Sequence, residues 1–99
     1  MYWEQTGIKN RVIEEIRSLA EKYGMITVIL FGSRARGDFR RESDIDLAVS
    51  GEKVDLFRLA VEEETSTLLC YDVVNLDLHL QSGLREVIDR EGKVIYEKV

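Results

Sequence analysis

Two stretches of strand character lie close together in this chain, and the distance between them limits the fold more than any other feature. Met25–Phe31 is an apolar run rich in β-branched residues, and residues 44–49 alternate between polar and apolar side chains. The first pattern suits a buried strand, the second a strand with one polar and one buried face. Residues 32–43 between them leave room for a single helical turn, over 33–37. A parallel crossover needs a longer connection, usually a packed helix. The spacing therefore predicts a mixed sheet with helices on one face, and not a doubly wound parallel sheet.

The rest of the chain supplies what such a sheet needs. Ile8, Val12, Ile16, Leu19, Ala20 and Tyr23 recur at helical spacing among charged residues, so 8–23 reads as an amphipathic helix stopped by Gly24. Ser50-Gly51 is a turn signal, and 54–65 is a second helix with Leu56, Phe57, Ala60 and Val61 as its apolar side. Residues 71–76 form a third strand. Ser82 is a plausible N-cap for a helix through Arg90 closed by Gly92, and 94–96 is a last short strand. The expected class is α+β, a mixed β-sheet flanked by helices, and the 99 residues suit one domain spanning 1–99.

Charge narrows the function. The net charge is −5, which disfavours direct nucleic-acid binding, since phosphate attraction dominates that affinity. The distribution is uneven: Arg34, Arg36, Arg40 and Arg41 crowd a stretch whose one acid is Asp38, a basic island that points to a local anion site or to a solvated loop. The one cysteine, Cys70, excludes an internal disulfide, and no signal peptide or long apolar run is visible, so a cytoplasmic location and no membrane association are expected. Cys70 lies in an apolar stretch and reads as a core or strand-end residue, and the lone His79 as structural rather than a metal ligand.

Four residues carry the chemistry: Gly32, Ser33, Asp44 and Asp46. A glycine directly after a buried strand lets the backbone approach a ligand and adopt φ values closed to other residues. Ser33 opens the following turn, where free N–H groups and its hydroxyl suit a phosphate, with Arg34 and Arg36 near enough to neutralise it. Asp44 and Asp46, two apart on a strand, share one face with Cα atoms about 6.5–7 Å apart. Paired carboxylates repel unless divalent cations lie beside them, and Mg²⁺ favours a few carboxylates plus phosphates and waters. Alone, Gly-Ser is more often a plain turn and Asp-x-Asp a solvated sheet face. Together at this spacing they arise by chance in a chain of this length on the order of once in a thousand.

Phe31-Gly-Ser-Arg-Ala-Arg-Gly-Asp38 followed by Ser43-Asp-Ile-Asp-Leu47 resembles the minimal nucleotidyltransferase (MNT) branch of the DNA polymerase β-like nucleotidyltransferase superfamily. Tyr71-Asp72-Val73-Val74 is similar to the segment carrying that branch's third acid, which makes Asp72 the candidate; Asp77 is the alternative, beyond the strand. The tail from Leu84 through Tyr96 resembles the branch's usual ending. The resemblance implies a polymerase β-like nucleotidyltransferase fold and transfer of a nucleoside monophosphate from ATP or another NTP to a hydroxyl. It implies Gly32 and Ser33 on the β- and γ-phosphates, and Asp44, Asp46 and Asp72 as catalytic ligands of two Mg²⁺ ions. Members often pair with an all-helical HEPN protein as toxin and antitoxin and can attach AMP to it, so a HEPN-type partner, with homo- or hetero-oligomerisation, is the expected context. The competing expectations are a catalytically weak nucleotide-binding module that occludes a partner, and a small-molecule nucleotidyltransferase, which carries a further domain for its acceptor.

Overall fold

The computed structural model describes residues 2–99. An opening 3-10 turn, Tyr2–Thr6, leads into α1 (Asn10–Lys22), β1 (Met25–Phe31), the short α2 (Ser33–Arg36), β2 (Ile45–Gly51), α3 (Val54–Glu64), β3 (Tyr71–Asn75), α4 (Leu84–Glu91) and β4 (Lys93–Glu97). The strands form one sheet in the order β3-β2-β1-β4. β1 runs antiparallel to both β2 and β4, whereas β2 and β3 are parallel, joined through α3. The connection between β1 and β2 is thus too short for a crossover and pairs the two strands antiparallel, as their spacing requires.

Burial explains why the elements sit where they do. On one face, α1 contributes Val12, Ile13 and Ile16 and α3 contributes Phe57 and Val61, packed over Val28, Leu30, Leu47 and Val49 of the two central strands. The opposite face is covered as well: Ile88 of α4 packs with Phe31 and Ala48, flanked by Val74, Leu80 and Leu84. The expectation of helices on one face is therefore corrected. Ala48, which shares the face of Asp46, is fully buried because α4 lies over it. Farther along this face Asp46 is half-buried and Asp72 is exposed.

Smaller departures have local causes. Ser50-Gly51 ends β2 and does not turn the chain; a Cβ at Gly51 would fall 2.6 Å from the Cα of Met25, its register partner on β1. The residue capping α4 is Gly83 in the left-handed region, not Ser82. Cys70 is exposed and contributes its carbonyl to the Ile45 amide at the start of β2, so it takes a strand-end position rather than a core one. No described helix is long and apolar enough to cross a membrane.

Candidate active site

The sheet brings three strand ends together. β1 finishes at Phe31, which pairs with Asp46 near the start of antiparallel β2, and Asp46 in turn pairs with Asp72 near the start of parallel β3. Asp46 and Asp72 are thus register neighbours on one face of the sheet. Asp44 lies two residues before Asp46, just ahead of the strand, and is exposed. Alternation along an extended chain turns it toward the same side.

Gly32 closes the site from the β1 side. Its φ of 79° and ψ of −158° lie in a region almost reserved for glycine. A Cβ built there would overlap the Asp46 carboxylate, whose Oδ2 sits directly against the glycine backbone. One residue thus meets two demands, a positive φ and the close approach of a carboxylate. It also caps α2, where the Arg36 amide donates to the Gly32 carbonyl at 3.0 Å and the Gly37 amide to that of Ser33 at 2.9 Å. The first N–H groups of α2 have no partner within the helix, and Gly32 at its N-cap has no side chain to take one.

The electrostatics single out Asp46. Burial, then the nearby charges of Asp72 and Asp44, push its pKa from 3.8 up to about 6, and only Arg36 opposes them. No hydrogen bond to the Asp46 carboxylate contributes to this balance. A half-buried carboxylate without a donor, beside two more carboxylates, is costly unless a cation joins it. Hard oxygen donors of this kind suit Mg²⁺, which accepts a few carboxylates and completes its shell with waters and phosphate oxygens. Among the described residues no group of three or more carboxylate, imidazole or thiol side chains is placed to hold a metal ion as it stands. Asp46 and Asp72 are register neighbours and Asp44 acts on Asp46 through its charge, so a cation and its phosphate would have to draw the three carboxylates together.

Arg34 departs from the sequence expectation of a phosphate-neutralising residue, because its side chain is buried. Its Nε donates to the Ser43 carbonyl at 3.0 Å, Nη1 to that of Thr6 at 3.0 Å and Nη2 to that of Arg41 at 3.2 Å, and its guanidinium stacks 4.6 Å from the Phe39 ring. Arg34 fastens the loop carrying Ser43 and Asp44 to the N-terminal turn, so it fixes the site's frame and presents no charge to an anion. Arg36, by contrast, is exposed and lies close enough to act on Asp46.

The two candidates for the third acid lie at opposite ends of the sheet. Asp77 accepts from the Ser50 hydroxyl at 2.8 Å and the Gly51 amide at 3.2 Å, where it finishes β2. Asp72 lies beside Asp46. Sequence reasoning missed Glu91, which binds Arg36 at 3.0 Å from the end of α4. A glutamate closing a helix gives no local signal of a distant arginine.

Known proteins resemble this chain in sequence and fold. The family model described as polymerase beta, nucleotidyltransferase matches residues 14–99. The chain is 48% identical over 73 residues to a candidate protein adenylyltransferase of Methanocaldococcus jannaschii, covering 72% of this chain and 67% of that one. It is 31% identical over 83 residues to the protein adenylyltransferase MntA of Thermococcus cleftensis, covering 81% and 82%. Among solved structures, a candidate minimal nucleotidyltransferase at 33% identity gives a TM-score of 0.66 over 82% of this chain and 86% of that one. A toxin–antitoxin solved with AMP-PNP gives a TM-score of 0.70 over 87% and 73%, at 21% identity, a likeness of fold alone.

Proposed function

This chain belongs to the polymerase beta nucleotidyltransferase family, and from that premise we propose that it transfers AMP from ATP to a hydroxyl of a partner protein, as the antitoxin of a HEPN-type toxin. The observation that carries the reading is the state of Asp46: pressed against Gly32, paired with Asp72, and raised in pKa by burial and by two neighbouring carboxylates. A stable fold has little use for such a cluster, whereas a site for a cation-bound triphosphate requires one. The names of the relatives, protein adenylyltransferases in both cases, support the class of acceptor.

Each residue has a task in this reading. Gly32 lets the Asp46 carboxylate close up against the turn, and the amides opening α2 with the Ser33 hydroxyl take the β- and γ-phosphates. Arg36 adds positive charge. Asp44, Asp46 and Asp72 would hold Mg²⁺, which would supply positive charge to screen the phosphates and the charge that develops in the displacement. The acceptor oxygen bonds to the α-phosphorus, the bond from that phosphorus to the bridging oxygen breaks, and pyrophosphate leaves. Asp72, exposed at the sheet end, takes the hydroxyl proton and passes it to solvent.

The acceptor side of the site is open, with Asp44 and Asp72 both exposed. Catalysis by positioning needs the reactants held about 3–3.5 Å apart, so another chain has to present the hydroxyl. A partner that is cationic where it docks would complement a chain of net charge −5. The test is to incubate the protein with the product of the adjacent open reading frame and Mg-ATP, then to read that product's intact mass. The expected result is a gain of one or more AMP units, lost in the Asp46→Asn variant. A stable stoichiometric complex with no mass gain would instead favour a binding module that acts by occlusion.

A further inference from the structure

Arg36 is held by two carboxylates of different character. Its Nε donates to Asp38 Oδ1 and Oδ2 at 3.3 and 3.1 Å, and its Nη1 to Glu91 Oε1 at 3.0 Å. The Asp38 side chain is 64% exposed and sits in the same loop, whereas that of Glu91 is 17% exposed and comes from the last turn of α4. Glu91 is itself fixed. The Gly92 amide closes α4 on the Ile88 carbonyl at 2.8 Å, and Gly92 lies so near Ile29 of β1 that a Cβ there would fall 2.5 Å from its side chain. The other oxygen of Glu91 lies 4.0 Å from Arg90 Nη2.

A guanidinium offers five N–H donors in a planar fork. Here the Nε edge and Nη1 are engaged, and Nη2 makes no hydrogen bond among the described residues. Arg36 ends the four-residue α2, whose opening residue Ser33 follows Gly32, the glycine lying against the Asp46 carboxylate. Asp38 and Glu91 thus hold the guanidinium through Nε and Nη1, and the Nη2 donors remain for an anion. A long arginine side chain otherwise loses considerable rotamer freedom when it binds a phosphate, and an arginine already held in place loses less.

We propose that Glu91 is a positioning residue that holds Arg36 in place to meet the nucleotide's phosphates, tying the end of α4 to the phosphate-binding turn. This rests on the nucleotide-binding reading above. The alternative role for the same ion pair is a competitor, a carboxylate occupying Arg36 that phosphate must displace; the two make opposite predictions. If Glu91 positions, Glu91→Gln weakens Mg-ATP binding and raises KM for ATP by about 3- to 5-fold, the scale of a partly exposed ion pair, with kcat within about twofold. If it competes, affinity rises.

The test is a double-mutant cycle on the full chain. Dissociation constants for Mg-ATP are measured by calorimetry, with KM and kcat alongside, for wild type, Glu91→Gln, Arg36→Ala and the double variant. Melting temperatures establish that each variant folds. The expected outcome is that Glu91→Gln loses affinity in the wild-type background and has no further effect once Arg36 is alanine. An equal loss in both backgrounds would mean a purely structural Glu91 and would overturn the inference, as would unchanged or tighter binding. Failure of the wild type to bind Mg-ATP would instead remove the underlying reading, and this inference with it.

Discussion

Replacing Asp46 with asparagine keeps the shape of the side chain and removes its charge. In the folded chain the carboxylate titrates at about 6 instead of 3.8, through burial first and then the charges of Asp72 and Asp44. A shift of about two pKa units corresponds to roughly 3 kcal/mol of penalty on the ionised form. Solvent reaching the half-buried group screens this to roughly 1 kcal/mol. The sign follows from linkage. Because the folded pKa is the higher, the native state holds the proton more tightly, and the contribution of Asp46 to stability is fully present below pH 3.8 and is lost as pH rises through about 6. The asparagine amide does not titrate, so Asp46→Asn gains on the wild type across that window. Thermal unfolding of both proteins without metal should show similar melting temperatures near pH 4 and an advantage of about 4–8 °C for the variant at pH 7.5, together with loss of nucleotidyl transfer. Parallel pH profiles for the two proteins, or a variant less stable than wild type at pH 7.5, would refute the reasoning about the carboxylate cluster.

Gly32→Ala should cost about 2–3 kcal/mol and abolish transfer, since alanine meets both a forbidden φ of 79° and the Asp46 carboxylate; chemical denaturation and the mass assay read the two effects. Asp72→Asn should eliminate transfer, whereas Asp77→Ala should retain it within about twofold while losing about 1 kcal/mol with the hydrogen bonds from Ser50 and Gly51. Comparable activity in the two would contradict the assignment of the third acid. Arg34→Ala should lower stability by about 3 kcal/mol, because it strands three backbone carbonyls that the guanidinium now satisfies; denaturant midpoints check this, and an unchanged midpoint would mean the contacts contribute nothing.

The parts of this protein legible in the sequence are those encoded locally. Met25–Phe31 announces itself by a continuous apolar run, and Asn10–Lys22 by its spaced Val12, Ile16 and Leu19. The short reach between the first two strands carried the mixed topology, and the register then placed Asp46 beside Asp72. What the chain conceals is contact between distant segments. Asp44, Asp46 and Ala48 alternate like a solvated face, yet Ala48 is buried, because α4, far along the chain, supplies Ile88 to cover it. Arg34 and Arg36 look equivalent in a basic island. One is enclosed by the Thr6, Arg41 and Ser43 carbonyls and the other bridges to Glu91, a difference made by packing partners rather than by residue type.

The most direct test of the central claim, that Gly32, Ser33 and the carboxylates of Asp44, Asp46 and Asp72 form a cation-dependent nucleotide site, is calorimetric titration of the protein with ATP in the presence and absence of Mg²⁺. Clustered carboxylates repel a bare triphosphate, and a divalent cation reverses that sign. Saturable binding is expected with Mg²⁺, and none measurable when the metal is removed with a chelator. Equally tight binding of ATP without metal would contradict it.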